Sequence, residues 1–396
     1  MVRDLRRLSD TEFDLLVIGG GIYGLFTAWD AALRGLTVAL VEQGDFAHAT
    51  SFNTLRVIHG GLRYLQHGDL RRMRESIRER TTWMRIAPHL VHPMPFLVPT
   101  YGHGMRGRLA LALAVKVHDL VGFDRNRLAD ATKHLRASVT ISRQECLRLL
   151  PDLDPQGLTG AAIYYDCQMS SSERLAVAVL RSAVQAGAVA ANYVQVTGFL
   201  GDGSRVSGVT ARDALAGDDL AVRARVVVNA SGPWVGSVLG LVPGGRLRRD
   251  LPFSKAFNLL VGRPLAGEYA FGVYGRSHFQ DRDALLDKGS RMFFVTPWHR
   301  GSLIGTAHLP YRGGPEGFRV SEEDVEGFLA EVNEAYPSAA LTREDVLAVY
   351  GGLLPAAAPG DAQLVRHYRL YDHRREGVEG LVSVLGVKFT EARHVA

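Results

Sequence analysis

Residues 13–24, FDLLVIGGGIYG, decide how the rest of the chain is read. FDLLVI is a nearly continuous apolar run, the composition of a parallel strand covered on both faces. Three glycines follow at once. From Ile22 to Leu33 apolar residues recur at helical spacing, and Gly35 stands where a glycine ends a helix. TVALVE, residues 37–42, predicts a second buried strand, so the chain opens with a βαβ unit. Within it, Gly19, Gly21 and Gly24 form a GxGxxG directly after a strand and at the start of a helix. Gly19 permits the tight turn, Gly21 lets the backbone approach a pyrophosphate, and Gly24 lets helix and strand pack closely. The helix amino terminus adds N–H donors and the positive end of its dipole. Glu42, closing the next strand, can accept from both hydroxyls of an adenosine ribose. Strand, glycines, helix, strand and acid in this order predict a dinucleotide site, with a ligand-free glycine turn as the plain alternative. The pattern does not separate NAD from FAD.

Outward from this unit the order is less regular. Residues 71–90, RRMRESIRERTTWMRIAPHL, predict a basic helix ended by Pro88, and VHPMPFLVPTYG, 91–102, is proline-rich enough to predict an extended edge or a loop. Residues 171–200 predict a helix from about Ser172 with Glu173 in its first turn, then a strand around 189–197. From about 245 to 350, short alternating runs such as FNLLVG, RMFFVTPW and SLIGTAH, separated by Gly and Pro turns, predict an antiparallel sheet. The tail, GLVSVLGVKFTEARHVA, returns to a buried strand that runs through a glycine into a helix start, so the far end of the chain completes the first lobe.

At 396 residues the chain is too long for one small core and predicts two lobes. With 22% charged and 46% hydrophobic residues, the composition is that of a globular protein rather than a disordered or membrane-embedded one. A formal charge of +5 fits an anionic cofactor or substrate. Nucleic acid is not expected, because the basic residues are scattered from Arg3 to Arg393 instead of gathering with aromatics on one element. Cys146 and Cys167 cannot make a disulfide framework and sit in no metal-ligand spacing, so they read as reduced packing residues of a cytoplasmic protein with no metal. The amino terminus, MVRDLRRLSDTEF, lacks a signal-peptide apolar region. LALALAV, 109–115, is far too short to cross a bilayer. With Arg106, Arg108 and Lys116 around it, it could lie on a membrane surface as an amphipathic helix; an ordinary core helix is the alternative.

A second stretch, EQGDFAHATSFNTLRVIHGGLRYL at 42–65, resembles nearly position by position the segment after the nucleotide-binding unit in FAD-dependent glycerol-3-phosphate dehydrogenases of the D-amino-acid oxidase-like superfamily. The likeness continues through RIAPHLVHPMPFLVP, VVVNASGPWV, FFVTPW, LIGT and VLGVKFTEAR, almost the whole chain. The resemblance implies an α/β fold with a Rossmann-like FAD-binding lobe of the GR2 type and an interleaved α+β substrate lobe on an antiparallel sheet. It places the first lobe at 1–75, 150–240 and 355–396, and the second at 76–149 and 241–354. It implies non-covalent FAD, with Thr50 and Ser51 along the pyrophosphate. Gly60 and Gly61 would admit the cofactor. Ala230, Gly232 and Trp234 of NASGPW would lie near the adenosine and pyrophosphate. Gly386, Lys388 and Thr390 would form a strand-to-helix turn whose N–H groups and cation favour the reduced flavin. Arg56 corresponds to a basic residue at the substrate pocket and His59 to a flavin-facing position; a salt-bridged structural role is the alternative for each. His48 raises covalent attachment, but relatives of this type do not use that position, and it reads as a loop histidine.

Several substrate-facing positions depart from the family. GLLP, 352–355, puts Leu354 where an arginine holds the substrate phosphate, and an uncompensated phosphate binds badly. KAFN, 255–258, keeps Lys255 but has Asn258 in place of a histidine, and an amide cannot take a proton. In GTAH, 305–308, Ala307 and His308 replace Thr-Asp. The family also carries a further helical domain of about a hundred residues, which suggests a minimal core here with a rebuilt pocket. Arg393 matches a remaining family arginine and could hold an anion. The chemistry expected is hydride transfer to flavin N5 from a small anionic secondary alcohol, either glycerol-3-phosphate-like or a 2-hydroxy acid, with His59, Lys255 and His308 as candidate bases and oxygen or quinone as electron acceptor. An amine or amino-acid oxidase, and a flavin-binding partner subunit without turnover, are the alternatives.

Overall fold

The computed structural model describes residues 2–104, 107–245, 247, 249–275 and 292–396. Two sheets organise them. The first has eight strands, in the order Arg369–Asp372, Leu381–Leu385, Asp219–Asn229, Glu12–Ile18, Val38–Val41 and Val189–Ala191, with Val206–Asp213 added antiparallel to Asp219–Asn229 and Val194–Gly201 antiparallel to Val206–Asp213. Its central strands are parallel: Ile18 stands opposite Val41 on one side and Asn229 on the other, and Asn229 opposite Ser383. Four strands therefore end together, and the loops that follow them open on one edge. The apolar run at 13–18 is buried on both faces, as its composition demands. Helix Ile22–Leu33 covers it with Leu25, Phe26 and Ala28, and packs against helix Ser172–Gln185. Gly35 takes φ +83° just beyond the helix.

The second sheet has nine strands: Val346–Pro355, Phe253–Val261, Gly301–Tyr311, Met292–Trp298, Ala270–Tyr274, Val91–Tyr101, Leu158–Met169 and Val57–Ile58 in order, with Val139–Ser142 also paired to Leu158–Met169. Most pairings are antiparallel; Ala270–Tyr274 meets Val91–Tyr101 in parallel. Two of its strands, Val57–Ile58 and Leu158–Met169, come from segments that the sequence assigned to the first lobe. The chain crosses between sheets more often than composition reveals.

Val91–Tyr101 corrects the reading of an edge or loop. It lies inside the sheet and pairs with Leu158–Met169 along its whole length. Pro93, Pro95 and Pro99 are separated by even steps, so their missing N–H donors all fall on one edge of the strand. That edge pairs only through Phe96 and Leu97, while the other keeps its ladder.

Helix Leu70–Ile86 ends two residues before Pro88, earlier than the run to 90 suggested. LALALAV falls on helix Arg108–Val121, which buries Val115 and His118 and leaves Leu109, Leu113 and Leu120 87%, 67% and 73% exposed. Arg106 lies outside the described residues. No helix among the described residues is long and apolar enough to cross a membrane.

Candidate active site

A cavity of about 1100 Å³ runs from the carboxyl edge of the first sheet to the face of the second. Its first end is built from backbone. Gly19 follows Ile18 with φ +104°, and a Cβ there would stand 2.7 Å from the carbonyl oxygen of Ala230. A Cβ on Gly24 would stand 2.0 Å from the carbonyl oxygen of Gly19, so helix and turn meet at a distance only glycine allows. The Glu42 carboxylate is buried and accepts from Gly20 N–H (2.7 Å) and Gly44 N–H (2.8 Å), leaving one lone pair on each oxygen for a ligand hydroxyl. Ser51 Oγ accepts from Ile22 N–H at 3.0 Å and so caps the open helix end, while Thr50 Oγ1 donates to the Leu353 carbonyl at 3.2 Å. Gly21, Ala230, Gly232 and Trp234 line the same end. His48 lies beside them in its loop, Nδ1 2.7 Å from the Asp45 carbonyl oxygen. The glycine cradle, the helix terminus and the buried acid together fit an FAD, and the volume lies above the ~300–1000 Å³ usual for small-molecule pockets.

The far wall is built from side chains. His59 faces the cavity, with Nδ1 3.4 Å from Asp166 Oδ2 and its backbone N–H donating to Thr390 Oγ1 at 3.2 Å. Asp166 is buried; its Oδ1 accepts from Gly60 N–H at 2.6 Å and from Arg80 Nη1 at 2.5 Å. Burial pushes the Asp166 carboxyl up, but the hydrogen bond with His59 and the Arg80 guanidinium outweigh it, and it sits below the ordinary carboxylate value. Asn258, Thr306, His308 and Leu354 complete this end, with the Thr306 hydroxyl donating to Asn258 Oδ1 at 2.8 Å. Val98, Leu111, Tyr164 and Phe294 make the adjoining surface apolar.

Three cations expected at the substrate are committed elsewhere. Arg56 is 2% exposed, pairs with Ser172 and Glu173, and lies within 5.2–5.3 Å of the rings of Phe52, Trp298 and Tyr350. Lys255 donates to Asp324 Oδ2 at 2.6 Å, on the helix that covers the second sheet. Arg393 pairs with Glu79, with Nε 3.0 Å from Oε2. None of the three lines the cavity; each has found a carboxylate, which the buried Arg56 and the largely buried Lys255 require. Among the described residues, Arg63 and Lys388 are the Lys and Arg side chains that do line it.

One glycine role also changes. A Cβ on Gly60 would stand 2.2 Å from Arg80 Nη1, so this glycine makes room for the arginine rather than for a cofactor. Gly61, at φ +80°, does line the cavity. At the carboxyl end, Val387 N–H and Lys388 N–H donate to the Tyr23 hydroxyl at 3.2 and 3.1 Å, and that hydroxyl donates to the Lys388 carbonyl at 2.7 Å. Those two amides are not aimed into the cavity; Phe389 and Thr390, in the 3₁₀ turn Phe389–Glu391 that leads into helix Ala392–Val395, line it. Gly386 lines the cavity, and a Cβ there would also meet the Tyr23 ring at 2.2 Å. Lys388 itself lines the cavity, donates to the Tyr64 hydroxyl and lies over that ring; burial, opposed by Glu391 and aided by Arg63, pushes its ammonium down to about 8. Asp166, Arg80 and Tyr23 were not singled out from sequence. The one readable sign was a single carboxylate inside YYDCQM, an otherwise apolar strand.

The sequence profile of the FAD dependent oxidoreductase family, DAO, matches residues 14–388. A glycerol-3-phosphate dehydrogenase of Synechocystis is 35% identical over 406 aligned positions, covering 100% of this chain and 70% of that protein. An alpha-glycerophosphate oxidase of Streptococcus pyogenes is 32% identical over 361 positions, covering 90% of this chain and 56% of its own length. The crystal structure of a glycerol-3-phosphate dehydrogenase from Bacillus halodurans complexed with FAD superposes with a TM-score of 0.72 at 28% identity, over 99% of this chain and 64% of that one.

Proposed function

Because the chain belongs to the FAD-dependent oxidoreductase family, DAO, we propose that it oxidises a small anionic secondary alcohol, glycerol-3-phosphate-like or a 2-hydroxy acid, to the matching carbonyl compound. FAD, when bound, supplies the hydride acceptor at N5. The glycine turn at 19–24 and the capped helix end receive the pyrophosphate, and Glu42 receives a ribose hydroxyl. His59 takes the hydroxyl proton, because it faces the cavity with a carboxylate behind it; His308 is the second imidazole on the same wall. Arg63 and Lys388 hold the anionic group. The observation that carries this reading is a buried carboxylate–imidazole pair sharing one cavity with a dinucleotide cradle. Anaerobic mixing of the yellow holoprotein with sn-glycerol 3-phosphate, lactate, phosphonates and amines tests it: an alcohol should bleach the flavin band. Bleaching by amines alone favours the second reading, amine oxidation, which Leu354 in the position of the expected phosphate ligand supports. Bleaching by nothing favours a flavin-binding subunit without turnover.

Oxygen and quinone are both acceptors that this reading admits, and peroxide release set against reduction of a soluble quinone separates them. The outer face of helix Arg108–Val121, with Leu109, Leu113 and Leu120 exposed and Lys116 among them, supports peripheral contact with a membrane surface. Sedimentation with anionic vesicles should fall for Leu113→Asp.

A further inference from the structure

We propose that Asp166 is a positioning residue for this site: it holds the His59 ring with Nδ1–H turned back to the carboxylate, so that Nε2 faces the cavity as the proton acceptor. The proposal rests on the alcohol-oxidising reading above. Asp166 lies inside strand Leu158–Met169 and is 1% exposed, whereas His59 is 41% exposed at its side chain. A purely structural Arg80–Asp166 pair, tying helix Leu70–Ile86 to the strand, would occupy one carboxylate oxygen. Here the second oxygen, Oδ2, is turned to His59 Nδ1, and the first also takes the N–H of the next residue, Gly60. A Cβ on Gly60 would stand 2.2 Å from Arg80 Nη1 and 2.9 Å from Asp166 Oδ1, so the segment that carries His59 is seated directly on the pair.

The chemistry follows from the donor count. A neutral imidazole has one N–H and one lone pair, and a carboxylate can only accept, so Asp166 selects the Nδ1–H tautomer and leaves the lone pair on Nε2. As the carbonyl forms, the O–H proton passes to Nε2, and a bound flavin would supply the acceptor for the C–H hydride. Asp166 then faces an imidazolium, as the carboxylate of a Ser-His-Asp triad does. Arg80, from helix Leu70–Ile86, keeps the carboxylate ionised; His118, from helix Arg108–Val121, stays uncharged, because burial and Arg80 push it down to about 4.

Holoprotein labelled with ¹⁵N-histidine tests this without turnover, with His59→Gln assigning the resonance. At alkaline pH the wild-type His59 signal should be that of the Nδ1–H tautomer, and Asp166→Asn should move it to Nε2–H or a mixture. In the same variant, flavin reduction by sn-glycerol 3-phosphate or lactate should slow about a hundredfold or more while the apparent dissociation constant changes less than about threefold. Since Asp166→Asn leaves Arg80 buried without its partner, Arg80→Leu with Asp166→Asn serves as a second, charge-free background. An Nε2–H tautomer in the wild type overturns the inference, as does wild-type flavin reduction in Asp166→Asn. If no alcohol bleaches the wild-type flavin, the substrate reading fails, and the tautomer of the wild-type protein still decides this one.

Discussion

The two ends of the cavity are made of different material. The end at the first sheet is backbone: Gly19 and Gly24 pack carbonyl against Cα, and Glu42 is fixed by two amide donors. The end at the second sheet is side chain: Asp166, Asn258, Thr306 and Leu354 come from four strands and His59 from the loop after Val57–Ile58, with His59 held to Asp166 and Asn258 to Thr306. A backbone site tolerates little change because nothing in it can rotate away, whereas a side-chain site can be rebuilt one residue at a time. The departures at Leu354, Asn258 and His308 all lie at the second end.

The contrast can be broken at its rigid end. Gly24→Val forces atoms into the Gly19 carbonyl, costs about 3 kcal/mol or more, and should lower flavin affinity about a hundredfold, read as the flavin-to-protein absorbance ratio. Equal flavin content in this variant would refute the backbone account. Next in size is acid stability behind the far wall. His118 is held at about 4, first by burial and then by Arg80, against about 6.5 when unfolded, so the unfolded chain binds the extra proton between those values. Stability from this group is complete above pH 6.5 and lost as pH falls toward 4, by about 3 kcal/mol. Chemical denaturation across that window should show a flatter slope for His118→Phe.

Glu173→Gln removes the carboxylate from caged Arg56 and should cost about 1–2 kcal/mol in thermal or urea unfolding while leaving flavin reduction unchanged. A kinetic defect without a stability loss would return Arg56 to the substrate. The smallest effect sharpens the comparison: Leu354→Arg should tighten binding of inorganic phosphate about tenfold, a gain of ~1.4 kcal/mol, seen as a shift in the flavin spectrum on titration.

The same contrast explains what could be read in advance. The helix Ile22–Leu33, its flanking strands and the acid at 42 were legible because glycine spacing and apolar periodicity record backbone conformation directly. Cations record only a need for a partner. Arg56 found Glu173 at a separation of 117 residues, Lys255 found Asp324 at 69, and Arg393 found Glu79 at 314, so their commitments were invisible along the chain. Asp166 was hidden for the opposite reason, since one acid in an apolar strand resembles ordinary alternation until the fold brings His59 and Arg80 to it. Val91–Tyr101 was misjudged because three prolines were counted without asking which edge they occupy.

Helix Arg108–Val121 gives this layout an outward consequence. Leu111, Ala114 and Val117 look into the cavity, Leu109 and Leu120 look into solvent, and Leu113 belongs to both. A single helix diameter, roughly 10 Å, is thus all that separates the compartment beside His59 from whatever adheres to the exterior. Anything that presses on that outer stripe leans on the ceiling of the reaction chamber.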